Sequence, residues 1–135
     1  MKMNKIYLGV LAIALMACQS TPKEEIVPVF SSAVIEINAD DISNYWVVQY
    51  KKPKIYNSKP KWLPKGAGEW VYEVTIDSNG KEVEKKLISA TPENYMTQAK
   101  LDQFPVKNYS ASKRNPNKTP IKFVTSAKIM PASKL

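Results

Sequence analysis

The side chains able to carry chemistry are few in this chain of 135 residues. There is no histidine, so the usual general acid-base group and the commonest nitrogen ligand for zinc or copper are absent. Cys18 is the sole cysteine; it can close no internal disulfide and, without a second soft ligand, holds no transition-metal cluster. Asp77, Glu82 and Glu84 cluster in sequence, but acids beside a turn ordinarily serve solubility and turn geometry, and no base or metal ligand accompanies them. Ser31 and Ser32 have no histidine to activate them, and no motif supports a serine-lysine pair. The expectation is a protein that is not an enzyme and uses no cofactor and no metal.

Charge is the next resource. The chain carries 20 Lys and Arg against 12 Asp and Glu, a net +8 and a pI near 9.5, and every basic residue but Arg114 is lysine. Arginine is the residue of bidentate phosphate and base contacts, so a lysine excess points to a solvated, non-specific basic surface. The excess concentrates in Lys51, Lys52, Lys54, Lys59 and Lys61, within KKPKIYNSKPKWLPK, which has three prolines and no acid. Proline removes donors and favours extended backbone, so this is a surface loop with Trp62 tucked onto a sheet. Its lysines, interleaved with Tyr56 and Trp62, also suit a polyanion such as wall polymer, anionic headgroups or single-stranded nucleic acid.

The start of the chain decides among these. Lys2 and Lys5 precede an apolar run from Ile6 to Ala17, the layout of a secretory signal peptide and too short to span a bilayer comfortably. Leu15-Met16-Ala17-Cys18 resembles the lipobox of bacterial lipoproteins, which implies a diacylglycerol on the Cys18 sulfur and cleavage before it. The mature chain would lose Lys2 and Lys5 and carry about +6. Two or three acyl chains such as palmitate make a durable anchor. Gln19, in place of the aspartate of inner-membrane retention, implies the outer membrane facing the periplasm, where nucleic acid is no routine partner.

The elements that must position such chemistry follow in order. Residues 18–28 read as a polar tether. In residues 29–37, VFSSAVIEI, β-branched residues and alternation predict a strand. Asp40 or Asp41 is placed to cap a short helix or turn through Tyr45 and Trp46, and WVVQY at 46–50 reads as another short strand. Next, WVYEVTI and VEKKLISA flank Asp77-Ser78-Asn79-Gly80, where Asn79 and Gly80 can take positive φ, which predicts a β-hairpin. Trp70, Tyr72, Val74 and Ile76 share its core face, with Glu73, Thr75 and Asp77 on the wet one. Thr91-Pro92-Glu93-Asn94 signals a helix running to about Phe104, stopped by Pro105, with Tyr95, Ala99 or Met96, and Leu101 or Phe104 toward the sheet. Residues 107–120 read as a loop. A last strand, Ile121 to Ile129, sets Ile121, Phe123, Thr125 and Ala127 against Lys122, Val124, Ser126 and Lys128.

The stretch from Pro60 to Ile129 resembles the TonB C-terminal domain. The matching pieces are Pro60-Lys61-Trp62-Leu63-Pro64, Gly68-Glu69-Trp70-Val71-Tyr72, the strand Val74 to Lys81 with its acid-x-x-glycine turn, Ser89-Ala90-Thr91-Pro92, Tyr95 and Ala99 in the helix, and Pro120-Ile121-Lys122-Phe123. The resemblance implies an α+β fold, a small antiparallel sheet in β-β-α-β order with one helix packed on it. An N-terminal strand and turn extension would precede it, giving a signal peptide (1–17), tether (18–28), extension (29–59) and TonB-like domain (60–130).

The family's motor-engaging N-terminal helix and long proline-rich spacer are missing, and Tyr109-Ser110-Ala111 stands where an aromatic-x-proline is usual. These departures count against energy transduction. In the family the last strand is the edge that receives a receptor segment by β-addition; carried over, that edge is Ile121, Lys122, Phe123, Val124 and Thr125, extending to Ala127. The expected function is a lipid-anchored periplasmic adaptor binding a segment of an outer-membrane or periplasmic protein, auxiliary to outer-membrane transport, with homodimerisation through the same edge as a further use. The alternative is a structural envelope lipoprotein whose lysines contact wall polymer or anionic lipid, with Lys122 and Lys128 merely guarding the edge.

Overall fold

The computed structural model describes residues 25–52 and 57–131. The leader, with Leu15, Met16, Ala17 and Cys18, and the loop residues Lys54 and Tyr56 lie outside the described residues.

The hairpin is the centre of the fold. Strand β3 (Gly68–Ile76) pairs antiparallel with β4 (Glu82–Thr91). Between them the Gly80 amide donates to the Asp77 carbonyl at 3.0 Å and the Asp77 amide to the Lys81 carbonyl at 3.0 Å. Gly80 has φ 75°, whereas Asn79 is not among the positive-φ residues, so the reversal is a turn closed by one left-handed glycine and not by two residues of that kind. A side chain on Gly80 would also strike the Tyr109 carbonyl, which excludes other residues there.

Strand β6 (Ile121–Ile129) lies antiparallel along the other side of β3, and the short β1 (Ile35–Glu36) pairs parallel with the start of β6. The sheet order is β1-β6-β3-β4. A second ribbon joins β2 (Trp46–Val48) to β5 (Tyr109–Ala111), and two one-turn helices, α1 (Ile42–Tyr45) and α2 (Gln98–Leu101), complete a small α+β fold. Among the described residues no helix is long and apolar enough to cross a membrane.

Two apolar clusters pack against one face of the sheet. Trp46, Val74, Ile76, Tyr109, Ile121 and Phe123 form the first, with Ile35, Ile37, Ile42 and Val48 at its margin. The extension at 35–48 and the hairpin therefore share a core. The Trp46 indole N–H is satisfied by the Thr119 carbonyl at 3.0 Å, which lets an amphipathic ring be buried at little polar cost. Trp70, Met96 and Leu101 form the second cluster, where Phe104 lies 5.9 Å from Trp70 and 4.4 Å from Trp62 between ring centroids.

Several expectations are corrected. The helix does not run from Asn94 to Phe104; it is the single turn Gln98–Leu101. Asn94 sits at φ 61°, which no helix interior accepts, and Thr97 caps the true start by accepting the Lys100 amide at 3.3 Å. Met96 and Leu101 are buried and Tyr95 and Phe104 partly so, but Ala99 is exposed. The strand at 29–37 shrinks to Ile35–Glu36, because Val29 to Ser31 bonds to the hairpin turn. Gln49 and Tyr50 fall outside β2. Residues 107–120 are not all loop, since Tyr109–Ala111 forms β5. Thr75 and Asp77 are buried and not wet.

Candidate partner-binding edge

A strand's successive main-chain groups point alternately to its two neighbours. The Pro120 and Lys122 carbonyls accept from the Ile35 amide at 3.1 Å and the Ile37 amide at 3.0 Å, so the main chain of even-numbered residues in β6 faces away from β3. The odd residues Ile121, Phe123, Thr125, Ala127 and Ile129 face β3 opposite Ile76, Val74, Tyr72, Trp70 and Gly68. Strand β1 ends at Glu36 and the chain turns into Ala39–Asp41. Beyond that point Val124, Ser126 and Lys128 each present an N–H and a C=O without a strand partner among the described residues.

The expected edge is thus divided. Ile121 and Lys122 are covered by β1, so the open part starts later than the sequence reading placed it. Phe123 is core, 4% exposed, while Val124 is 42% exposed and Thr125 half-buried. Lys122 lies between Glu36 at 3.6 Å and Glu73 at 3.8 Å, a bridge across three strands, and so does not stand free as a guard of the edge. Lys128 is exposed near the far end.

The middle of the opposite edge is occupied. The Gln98 side chain lies along β4, accepting from the Leu87 amide at 2.8 Å and donating to the Lys85 carbonyl at 2.6 Å. A side-chain amide thereby stands in for a neighbouring strand and blunts that edge.

The acids of the hairpin have structural duties. The Asp77 carboxylate is fully buried and accepts the amides of Val29 at 3.1 Å, Asn79 at 2.9 Å and Lys81 at 3.0 Å. It fixes the turn and ties the incoming chain to it. The buried Glu82 accepts the Tyr109 hydroxyl at 3.1 Å and the Lys107 amide at 3.1 Å, with Lys85 Nζ at 3.3 Å. Burial first and the Glu82 charge second push the Tyr109 hydroxyl well above the ordinary tyrosine value, and the same two causes raise Tyr72. Glu84 is exposed. The contacts to Val29, Lys107 and Tyr109 join residues 25 to 48 positions apart and have no local sequence signature. Lys51, Lys52, Lys59 and Lys61 are exposed, with no acid within 4 Å among the described residues.

Comparison with protein-family models, with curated proteins and with solved structures finds no match.

Proposed function

We propose that the chain is a lipid-anchored periplasmic adaptor of the TonB C-terminal type, which captures an extended segment of an envelope protein as an added strand on β6. The observation that carries the reading is the row of main-chain groups at Val124, Ser126 and Lys128 that have no strand partner among the described residues. The order of hairpin, helical turn and returning antiparallel strand supports it, as does the cover that Gln98 gives the middle of the β4 edge. Adding a strand at about 1 kcal/mol net per main-chain bond contributes roughly 6 kcal/mol at most, before the cost of association. Such capture is weak in solution. Confinement of both partners to one membrane, at effective concentrations of about a millimolar, offsets that weakness, and this is the use we assign to the anchor at Cys18. A role auxiliary to outer-membrane transport follows the resemblance to TonB.

A photocrosslinking residue at Val124 or Ser126 in living cells should trap one defined envelope partner, while the same probe at Ile88 on β4 traps none. Equal trapping from both strands would refute the reading. Position 123 is unsuitable because Phe123 is buried. Lys51, Lys52, Lys59 and Lys61, exposed and without an acidic partner among the described residues, favour a second reading, adhesion to wall polymer or anionic lipid. Replacing these lysines by glutamine should then release the protein from such surfaces, and retention that ignores salt concentration would exclude it.

A further inference from the structure

Away from the β6 edge, a cleft of about 1040 Å³ lies against the β2–β5 ribbon, and no residue of β6 lines it. Its floor is apolar, made by Ile42 of α1, Trp46 and Val48 of β2, Tyr109 of β5 and Val106 in the approach to β5. Val106 is 43% and the neighbouring Val47 51% exposed, so this lining is open to solvent. Ligand clefts typically run to about 1000 Å³ and combine apolar walls with a few polar groups that fix orientation. Here the charged groups are of nearly one sign. Lys51, Lys52 and Lys107 reach the rim, and Asp40 is the one acid there among the described residues.

We infer that this cleft binds a single amphiphile with one acyl chain and an anionic headgroup, the chain along Val48 and Val106 and the headgroup at Lys51, Lys52 and Lys107. The apolar floor removes the chain from water at about 0.8 kcal/mol per methylene. The lysine rim selects anionic over cationic heads and speeds encounter. Trp46 and Tyr109, both nearly buried, back the floor and leave no free polar atom there: the Trp46 N–H is spent on Thr119 and the Tyr109 hydroxyl on Glu82. A bilayer surface fits the site less well, because the apolar lining belongs to a cleft and not to a flat face.

The test uses the full chain held in phosphatidylcholine vesicles and a dodecanoate carrying a diazirine near its methyl end. Illumination should label peptides spanning 42–52 and 105–109. Unlabelled dodecanoate should compete, and dodecyltrimethylammonium should not. Val106→Asp should cut labelling about tenfold or more, and Val47→Asp, at an exposed position, gives the same reading if the first variant does not fold. Lys51→Glu with Lys52→Glu should weaken labelling, while Val124→Pro leaves it unchanged, which separates this site from the strand-capture site. Labelling scattered over the surface, indifference to all the cleft variants, or equal competition by the cationic amphiphile would overturn the inference. So would recruitment to anionic vesicles with no label in the cleft.

Discussion

Proline placed at two adjacent positions of β6 should have opposite consequences, and the difference tests whether the edge is free. The Val124 amide points away from β3, so Val124→Pro removes no bond of the sheet, and proline is tolerated where the missing N–H faces solvent. Val124 is also 42% exposed, so its side chain contributes little packing and the expected loss is about 1 kcal/mol or less. Thr125 lies opposite Tyr72, and its amide faces β3. Thr125→Pro deletes that bond, strands a Tyr72 carbonyl at a cost of about 1–3 kcal/mol, and forces the ring into a paired strand. A total of about 3–5 kcal/mol is a large part of the roughly 5–15 kcal/mol that holds a domain folded. With a urea slope of about 1.5 kcal/mol/M, Val124→Pro should move the unfolding midpoint by less than about 0.7 M and Thr125→Pro by about 2 M or more. Tryptophan fluorescence follows the transition. Equal damage from the two variants would refute the argument, since it would mean that the Val124 amide is already paired.

Other consequences follow from the same geometry. Asp77→Ala removes the acceptor of three amides and should cost about 3 kcal/mol in a urea melt, with early proteolysis near Val29 as the freed segment detaches. Gln98→Ala uncovers β4, and should cost about 1 kcal/mol and introduce concentration-dependent association visible by light scattering. The raised pKa of Tyr109 means that the folded state disfavours the phenolate. Its contribution is fully present below the ordinary tyrosine value of 10.0 and is lost as pH rises beyond it. Stability should therefore fall above about pH 10, and Tyr109→Phe should reduce that slope while lowering stability at neutral pH; an unchanged alkaline slope would show that other groups govern it.

What the sequence disclosed depends on element length. The alternation of Trp70, Tyr72, Val74 and Ile76 and that of Ile121 to Ile129 each run over seven residues or more, long enough for the two-residue period to declare a strand and its buried face. Helix α2 and strand β5 span four and three residues, too few for any period, and they exist because Thr97 caps one and Tyr109 reaches Glu82 from the other. The cover that β1 places over Ile121 and Lys122 comes from a segment some 86 positions earlier, and the anchoring of Val29 on Asp77 spans 48; neither leaves a local trace. The acid at the turn looked like a solubility device because Asp is common there, but three converging amides make it the clasp of the fold.

Residue-resolved amide hydrogen exchange on β6, free and with the segment trapped by crosslinking, tests the central claim most directly. In the free chain Phe123, Thr125 and Ala127 should exchange slowly and Val124, Ser126 and Lys128 fast, and the partner should slow the second set alone. Protection of all six amides before the partner is added, or no change at Val124, Ser126 and Lys128 once it is bound, would contradict strand addition at this edge.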